Sequence, residues 1–346
     1  MPEATPAPEL PPGAQVMQLA TGYFSARAVY VCAELGLADQ LAGGPLAAAA
    51  LAERTATDPQ ALYRLLRALA AAGVFEHRAD DRFALTALGE ALRAGAPGSV
   101  RDGVLMFHQP MFWRSWEALR HSVETGEPAL DHLFGAPVFE YLARNPDAAR
   151  YYDGGMTALN AALLPAIVSA WDFTPYRRIV DVAGGHGSLL AAVLERAPHA
   201  EGLLVDLPHV VPTARETFAQ RALGTRAQAV AGSMFESVPP GADAYLLKWI
   251  LHDWDDAACT AILGRIRAAA PEHARLLVIE RVLPERAGAS AAVRTMMMAD
   301  LLMMIHLPGR ERTEREFRAL LDGAGWRLAR VVPTACPLSI VVAEPA

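Results

Sequence analysis

Lysine is almost absent from this sequence. Lys248 is the single lysine, and every other basic side chain of the Lys and Arg class is arginine. A lone lysine in a chain that otherwise uses arginine suggests a specific role for that side chain. Positive charge is scarce overall, because 38 Asp and Glu residues outnumber 31 Lys and Arg residues and leave a formal net charge of −7. This balance argues against nucleic acid as the main partner.

Cysteines and long apolar runs are also scarce. Cys32, Cys259 and Cys336 are far apart and form no disulfide or metal-binding pattern, so we expect a reducing environment. The sequence has no run of about 18 apolar residues, and its acidic, proline-rich start lacks the basic and apolar segments of a secretory signal. We therefore predict a cytoplasmic protein that neither spans a membrane nor binds one.

Apolar residues make up 53% of the 346 residues, which is ample for large cores and suggests two domains or one large domain with an addition. Three regions differ in pattern. We expect residues 1–100 to form an N-terminal all-helical winged-helix dimerisation domain, with residues 1–14 as a loose tail. Residues 101–170 are expected to form a helical linker that contributes to a substrate pocket, and residues 171–346 an α/β domain.

The N-terminal region predicts helices and one small hairpin. Residues 16–41 are helical and so apolar that we expect a second subunit to cover them. Asp58 and Pro59 predict a capped turn between two further helices, at residues 46–54 and 61–72, and a hairpin follows over residues 74–85. Such a winged helix serves either dimerisation or DNA binding. Only Arg64 and Arg67 charge the would-be recognition helix, which favours dimerisation.

The middle of the chain is rich in aromatic and methionine side chains at helical spacing. Each such residue alone is usually a core residue, but together they predict an apolar surface between two domains, where small-molecule pockets are common. The pocket candidates are Met106, Phe107, Trp113, Tyr152, Met156 and Asn160, joined later in the chain by Met303 and Leu307.

From residue 177 short apolar runs alternate with helical stretches, such as residues 189–196, 210–221 and 257–269. This alternation is the pattern of a doubly wound parallel sheet. The strand candidates are residues 179–183, 203–205, 227–231, 244–247 and 276–279, with a closing pair at 326–332 and 338–343.

A glycine-rich loop, V-D-V-A-G-G-H-G over residues 180–187, follows the first of these strands. Glycines there let a ligand approach the backbone. A dinucleotide fingerprint would need a third glycine where Leu190 stands, so the loop suits a nucleoside without a pyrophosphate. Asp206 ends the second strand, where an acidic residue can accept both ribose hydroxyls. The alternatives are a plain tight turn and an ordinary surface carboxylate.

The stretch Tyr245–Asp256, Y-L-L-K-W-I-L-H-D-W-D-D, begins as a buried parallel strand. It places His252 and Asp253 just past the carboxyl end of that strand, where open α/β sheets bind their ligands. A histidine there is well placed to act as a general base. The alternatives are a structural role for His252 and a helix-capping role for Asp253, and His306 is interpreted as a packing residue.

Five motifs occur in order: D-V-A-G-G-H-G, D-L-P-H-V, G-S-M-F, L-L-K-W-I-L-H-D-W and G-R-E-R-T-E-R-E-F. Together they resemble the plant-type (caffeic acid and flavonoid) O-methyltransferase family, in its bacterial branch that acts on aromatic polyketides and related natural products. The resemblance covers nearly the whole chain. It implies a Rossmann-like methyltransferase sheet, an N-terminal dimerisation domain, a homodimer, S-adenosylmethionine as methyl donor and S-adenosylhomocysteine as product.

The resemblance assigns the donor site to residues at the strand ends. It implies that the glycines of the loop approach the amino-acid end and ribose of the donor, and that Leu207 lies beside its adenine. Ser233 stands where the family commonly has aspartate, and Ala183 stands where a third glycine is common. The donor-site candidates are Asp181, Gly184, Gly185, Gly187, Asp206, Leu207, Ser233, Met234, Lys248 and Trp249.

The resemblance also implies the chemistry. His252 would take the proton of a phenol while the oxygen attacks the sulfonium methyl. Glu280 and Glu311 would flank the imidazole, and one or the other would fix its tautomer. Asp253 joins the acceptor-site candidates. No metal is expected, because the sequence shows no cluster of His, Cys, Asp and Glu at metal spacing in the donor loop or beside His252.

These observations predict an O-methyltransferase that modifies a phenolic hydroxyl of a bacterial aromatic, polyketide-like metabolite, as in antibiotic biosynthesis. Two alternatives remain open at this point. One is a donor-binding homologue with non-methylating chemistry, such as hydroxylation, on a polyketide. The other is a winged-helix transcriptional regulator that senses a metabolite, which the weakly basic recognition helix disfavours.

Overall fold

A computed structural model describes residues 10–346, which form two compact units. The first unit contains the chain up to Gln109 together with Asp147–Leu159, and the second contains Pro110–Pro146 together with Asn160–Ala346. This division differs from boundaries at residues 100 and 170, which remain predictions. Of the expected loose tail, residues 1–9 lie outside the described part, and a helix already begins at Pro12.

The first unit combines helices with a small antiparallel sheet. Pro59 begins α5 as predicted, and the Asp58 side chain caps that helix by accepting from the Ala61 amide at 2.8 Å. The helices are α1 (Pro12–Ala20), α2 (Gly22–Glu34), α3 (Leu37–Gln40), α4 (Ala48–Thr55), α5 (Pro59–Ala71), α6 (Ala87–Glu90) and α7 (Arg101–Phe107). The strands are β1 (Leu46–Ala47), β2 (Phe75–His77) and β3 (Arg82–Leu85), in the order β1-β3-β2.

The expectation of an all-helical N-terminal domain is therefore corrected. The hairpin of β2 and β3 is present as predicted, but β1 adds a third strand by pairing Leu46 with Phe83. Residues 46 and 47 looked helical because they precede an apolar helical run without a break. Their pairing with a strand more than 30 residues away is a tertiary contact that overrides local preference.

Six helices of the second unit lie outside the α/β pattern. The α8, α9 and α10 helices pack against α16, so these four form one helical layer. The α12 helix contributes residues to both units. The bounds are α8 (Pro110–Glu117), α9 (Leu119–Thr125), α10 (Ala129–Phe134), α11 (Val138–Arg144), α12 (Pro146–Ser169) and α16 (Ala291–His306).

The second unit is built on a seven-stranded sheet in the order β11-β12-β8-β7-β4-β5-β6. The first five strands of this sheet along the chain pair in parallel. β12 then pairs antiparallel with β8 and β11 pairs antiparallel with β12, so the last two strands form the predicted closing pair. The strands are β4 (Arg178–Val182), β5 (Glu201–Asp206), β6 (Ala227–Ala231), β7 (Ala244–Lys248), β8 (Arg275–Glu280), β11 (Trp326–Pro333) and β12 (Ser339–Pro345).

Helices connect these strands, and a short parallel pair lies beside the sheet. The predicted helices at 189–196, 210–221 and 257–269 are present, and no boundary is shifted by more than one residue. The elements are α13 (Ser188–Arg196), α14 (Val211–Gln220), α15 (Asp256–Ala269) and α17 (Glu314–Gly323), with β9 (Val282–Leu283) pairing with β10 (Arg312–Thr313).

The strand order brings the functional candidates together at the carboxyl ends of the parallel strands. The chain runs outward from β4 through β5 to β6 and then crosses to β7 and β8. The order therefore reverses between β4 and β7, and ligands of open α/β sheets bind outside the carboxyl ends of the strands at such a reversal. The loop after β4 and the residues after β7 border this crevice. Among residues 10–346, no helix is long and apolar enough to cross a membrane.

Candidate functional site

The glycine-rich loop after β4 is shaped by its own packing. A Cβ atom at Gly184 would lie 2.6 Å from the Asp181 Oδ2 atom, and a Cβ atom at Gly187 would lie 2.7 Å from the Phe218 ring. Both glycines are thus required by contacts within the protein. Gly185 has a positive φ of 58° and open space where a side chain would lie. Of the three glycines, only Gly185 leaves its backbone accessible to a ligand from the side where a Cβ atom would lie.

The Asp206 carboxylate at the end of β5 holds this loop. Its Oδ2 atom accepts from the Gly185 amide at 2.7 Å, and its Oδ1 atom accepts from the Leu207 amide at 2.7 Å. Each oxygen keeps a second acceptor direction for a ligand hydroxyl. Leu207 is a large apolar side chain that is 47% exposed at this edge of the sheet. An acceptor and an exposed apolar surface therefore lie side by side, as a nucleoside requires.

Lys248 at the end of β7 is partly buried among polar and aromatic groups. Its Nζ atom donates to the Asn160 Oδ1 atom and lies 3.8 Å from the centre of the Trp249 ring. Burial lowers the pKa of Lys248 to about 8 and raises the pKa of the neighbouring Asp181 to about 7. The Asp181 Oδ2 and Trp249 Nε1 atoms are buried and have no hydrogen-bond partner among the described residues. The crevice thus holds unsatisfied polar atoms that a ligand can satisfy.

Ser233 and Met234 lie in the loop that follows β6. The Ser233 hydroxyl accepts from the Phe235 amide at 3.3 Å, and Met234 packs partly buried against the core of the second unit. A serine here therefore holds the loop through a backbone group. The contact of these two residues with adenine remains a prediction.

His252 lies in a short 3-10 turn, Leu251–Asp253, directly after β7, and its side chain is buried. The Nδ1 atom lies 3.2 Å from Glu311 Oε1 and 3.5 Å from Glu280 Oε2, and the Nε2 atom lies 3.3 Å from Asp253 Oδ1. An Nδ1–H that donates to Glu311 fixes the tautomer in which Nε2 can accept a proton. The structure thus brings together the three residues named for catalysis.

The carboxylates decide the charge of this cluster. Burial opposes the cationic form of His252, but Glu280, Asp253 and Glu311 outweigh it and raise the pKa of His252 to about 9. Burial also raises the pKa of Asp253 to about 7 and raises the pKa of Glu280. Burial acts in the same direction on Glu311, yet its hydrogen bond to His252 and the charge of Arg281 lower the pKa of Glu311. Glu311 is therefore the ionised partner of the imidazole.

Glu280 and Glu311 differ in what they hold. The Glu280 Oε1 atom accepts from the amides of Ile250 and Leu251 at 2.9 and 3.0 Å, so that carboxylate mainly supports the backbone before His252. The Glu311 Oε1 atom accepts from Arg281 Nη1 at 2.8 Å as well as contacting His252. Of the two carboxylates expected to flank the imidazole, Glu280 thus mainly supports the backbone and Glu311 orients the ring.

The same three side chains also have the spacing of a metal site. Ligand atoms of His252, Glu280 and Glu311 lie within 4.8 Å of one another, a cluster that the sequence pattern did not reveal. Arg281 and two backbone amides already use oxygens of both carboxylates. The arrangement therefore suits a hydrogen-bonded imidazole, and the expectation of a metal-independent reaction remains a prediction.

Asp253 does not cap the helix that follows. Asp255 is the N-cap of α15, and its side chain accepts from the Ala258 amide at 2.8 Å. Asp253 instead faces the Nε2 atom of His252. The acceptor-site role expected for Asp253 therefore has a geometric basis, and the capping alternative is wrong.

The other acceptor-site candidates fall into both units. Met106, Phe107, Tyr152 and Met156 belong to the first unit, and Met106 is buried there against Gly155, whose added Cβ would lie 2.6 Å from its side chain. The second unit holds the remaining candidates, Trp113, Asn160, Met303 and Leu307. Asn160 contacts Lys248, which ties it to the donor crevice as well.

His306 is a packing residue, as interpreted from the sequence. Its Nδ1 atom lies 3.0 Å from the Leu302 carbonyl and its Nε2 atom 3.2 Å from the Met111 carbonyl, so it links α16 to α8. Burial lowers the pKa of His306 to about 4, which keeps the ring neutral.

Three residues around His252 were missed in the sequence. Arg281 binds Glu311, Arg312 binds the backbone on both sides of His252, and Gly309 lies against that backbone. Gly309 and Arg312 belong to the G-R-E-R-T motif, which offered a signal, but the sequence did not say what those two residues contact.

Comparison with known proteins gives a consistent result. A family model described as an O-methyltransferase domain matches residues 116–327, and one described as an O-methyltransferase dimerisation domain matches residues 17–95. The phenazine O-methyltransferase PhzM of Lysobacter antibioticus is 38% identical and covers 100% of both chains. The O-demethylpuromycin-O-methyltransferase of Streptomyces alboniger is 40% identical over 96% of this chain and 90% of that protein.

A solved structure adds the ligands of a relative. The O-methyltransferase NcsB1 from neocarzinostatin biosynthesis, in complex with S-adenosylmethionine and 2-hydroxy-5-methyl naphthoic acid, superimposes with a TM-score of 0.77 at 33% identity. The match covers 93% of this chain and 96% of that chain. Two matched domains, full-length relatives and the crevice described above together show that the chain belongs to the O-methyltransferase family and is an S-adenosylmethionine-dependent O-methyltransferase.

Proposed function

We propose that this enzyme methylates a phenolic hydroxyl of a bacterial aromatic, polyketide-like natural product, with His252 as general base and without a metal. One observation carries the proposal. A buried imidazole at the carboxyl edge of β7 has its Nδ1 atom oriented by an ionised carboxylate, Glu311, at 3.2 Å. Its Nε2 atom lies on the opposite side of the ring and is suited to accept a proton at the strand-order reversal where the donor site is formed.

The donor site fits S-adenosylmethionine part by part. Asp206 keeps acceptor capacity for the ribose hydroxyls, and Leu207 offers an exposed apolar surface for adenine. Gly185 leaves its backbone open to the amino-acid end of the donor. The Asp181 Oδ2 and Trp249 Nε1 atoms have no hydrogen-bond partner among the described residues and are available to polar groups of the donor. When bound, the donor supplies an electrophilic methyl group on a cationic sulfur and is converted to S-adenosylhomocysteine.

The residues around His252 then handle one proton. A phenol has a pKa of about 10 and is a weak nucleophile at neutral pH. His252 Nε2 removes the phenolic proton as the oxygen forms its bond to the methyl carbon and the bond from that carbon to sulfur breaks. Glu311 stabilises the imidazolium that results, and Arg281 keeps Glu311 ionised. The proton leaves His252 for solvent after turnover, so the cycle is balanced without a further reactant.

The acceptor class is supported by chemistry and by relatives. Aromatic and methionine candidates, among them Phe107, Trp113 and Met156, suit a flat, apolar ring system. The relatives named above are a phenazine and an O-demethylpuromycin methyltransferase, and the NcsB1 complex contains a naphthoic acid. An aromatic acceptor with one ionisable hydroxyl satisfies all of these features.

The proposal is tested with methyl-labelled donor and a panel of phenolic aromatic compounds. His252→Ala is expected to lower kcat by about 10²–10⁴-fold while the affinity for S-adenosylhomocysteine stays unchanged. Asp206→Ala should have the complementary effect and weaken the affinity for S-adenosylhomocysteine. The ribose hydroxyls lose a charged hydrogen bond worth about 1.5–3 kcal/mol. Calorimetry and label transfer on both variants separate donor binding from proton transfer.

Three results would contradict parts of the proposal. Near-wild-type turnover of His252→Ala would show that His252 is structural and that the acceptor loses its proton elsewhere. Loss of activity in excess EDTA, restored by magnesium, would overturn the metal-free mechanism. A hydroxylated product in place of a methylated one would favour the alternative chemistry on the same scaffold.

A further inference from the structure

The turn that carries His252 is too short to satisfy its own backbone. A three-residue 3-10 turn leaves most of its amides and carbonyls without internal partners. Glu280 takes the amides of Ile250 and Leu251, as described above. The carbonyls on the other side of the turn, those of Leu251 and Trp254, both face the side chain of Arg312. The buried turn is therefore held from two sides by opposite charges.

Arg312 is 1% exposed, and both of its terminal nitrogens donate to the backbone at this turn. Its Nη1 atom donates to the Leu251 carbonyl at 2.7 Å, and its Nη2 atom donates to the Trp254 carbonyl at 3.0 Å. The flat guanidinium reaches both carbonyls at once, which the single point charge of lysine does not. An ion pair with Asp256 at 2.8 Å anchors the same group from the first turn of α15.

The neighbouring glycine brings the same segment against the turn. A Cβ atom at Gly309 would lie 2.0 Å from the His252 carbonyl oxygen and 2.4 Å from the Asp253 carbonyl carbon. Any other residue would push the two segments apart. Close approach at Gly309 lets the next residues reach the turn, with Glu311 on the imidazole and Arg312 on the backbone.

We propose that Arg312 is a positioning residue for methyl transfer. It fixes the backbone on both sides of His252 and Asp253, and so sets where the His252 Nε2 atom meets the acceptor hydroxyl. The assignment rests on the proposed role of His252 as the base. Arg312 acts through the turn, and it requires no contact with donor or acceptor.

The main test is Arg312→Lys, which keeps the positive charge but removes the planar guanidinium that reaches both carbonyls. Displacement of a reacting group by about 1 Å can cost on the order of 10²-fold in rate, so kcat is expected to fall by about 10–10²-fold. The affinity for S-adenosylhomocysteine should stay within about twofold by the same reasoning, because Arg312 does not line the donor crevice. Titration of the His252 ring by NMR should also show a lower pKa, since a displaced ring loses contact with Glu311.

The matched control is Arg310→Met. Arg310 is half-exposed and binds the same Asp256 carboxylate at 2.9 Å and Glu316 at 2.9 Å, but its side chain does not contact the turn. We expect this variant to keep the wild-type kcat and the wild-type His252 titration. A difference between the two variants is therefore assigned to the contacts that Arg312 makes and Arg310 lacks, chiefly those with the Leu251 and Trp254 carbonyls.

Two further variants distinguish a folding defect from a loss of His252 positioning. If Arg312→Lys fails to fold, Asp256→Asn loosens the anchor of the guanidinium at a half-exposed site and should lower kcat severalfold beyond Arg310→Met. In a His252→Ala background, Arg312→Lys should cost nothing more if it acts through His252. An unchanged kcat in Arg312→Lys, or an equal loss in both backgrounds, overturns the assignment. An active His252→Ala enzyme would instead overturn the proposed base.

Discussion

At the scale of single residues, His252 is controlled by charges that come from several elements. Glu280 comes from β8, Glu311 precedes β10 and Asp253 shares the turn, and all three favour the imidazolium. Arg281 binds Glu311 and keeps that carboxylate ionised. A base in such a cluster is strong but is largely protonated in the donor-free enzyme at neutral pH. Under the proposed role of His252 as the base, a cationic donor bound at the same strand ends lowers the pKa of His252 and favours the neutral ring.

This balance makes the rate depend on pH in a defined direction. Only neutral His252 accepts a proton, so activity should fall as pH drops through its pKa, which the carboxylates raise to about 9 in the free chain. Glu311→Gln removes one raising charge, so the acidic limb of the kcat/KM profile should move to lower pH. Maximal kcat should fall as well, because the base is weaker.

The control for this profile is Glu314→Gln, which removes an exposed carboxylate on α17 that pairs with Arg318. Its acidic limb should coincide with that of the wild-type enzyme. An acidic limb that stays in place in Glu311→Gln would show that the limb belongs to another group, such as the acceptor itself.

At the scale of elements, the two strand ends that border the crevice have unusual backbone conformations. Ala183 after β4 has a φ of 54°, and Trp249 after β7 has a φ of 57°. Residues with a Cβ atom rarely adopt this left-handed region, and such conformations cluster at functional sites. The left-handed conformation at Trp249 begins the segment that carries His252. The same conformation at Ala183 shapes only the glycine-rich loop.

The loop position offers a simple stability test. The left-handed conformation costs about 1–2 kcal/mol for a residue with a Cβ atom, and glycine loses about 0.5–1 kcal/mol more entropy than alanine. Ala183→Gly should therefore stabilise the fold by about 0.5–1 kcal/mol, seen as a Tm increase of about 1–3 °C. Ala192→Gly, in the middle of α13, should have the opposite effect. Equal Tm changes in the two variants would contradict the strain at Ala183.

At the scale of the whole molecule, the first unit presents an apolar surface on its first two helices. Val16, Met17, Leu19, Tyr23 and Phe24 are each more than half exposed. Exposed apolar side chains in such a contiguous stretch mark an interaction surface. The matched dimerisation domain begins at residue 17 and includes most of them. We propose that a second copy of the chain covers this surface in a homodimer.

Light scattering at micromolar concentration is expected to show a dimer for the wild-type protein. The double variant Leu19→Glu and Phe24→Glu should be monomeric, because burying two carboxylates in the interface is unfavourable. Val123→Glu is the control, since Val123 is 68% exposed on α9 in the second unit. A monomeric wild-type protein, or a monomeric control, would contradict the proposed interface.

The sequence by itself determined the elements and the edge of the sheet where chemistry occurs. Strand and helix periodicity, the Asp58 cap and the glycine-rich loop depend on residues close together in the chain, so their outcome could be predicted. The strand order then places Asp206, Lys248 and His252 at one edge, because parallel strands end on the same side.

Only the tertiary structure decided how the groups around His252 divide their roles. Glu311 lies 59 residues from His252 in sequence, and Arg312 lies 61 residues from Leu251. No local pattern shows which carboxylate meets the ring, that Arg312 binds two carbonyls, or that Gly309 lets two backbones touch. Likewise, β1 became a strand through Phe83. These contacts join segments that are far apart in the chain. Local sequence patterns determine helices and strands, but only tertiary packing determines which of these segments come together.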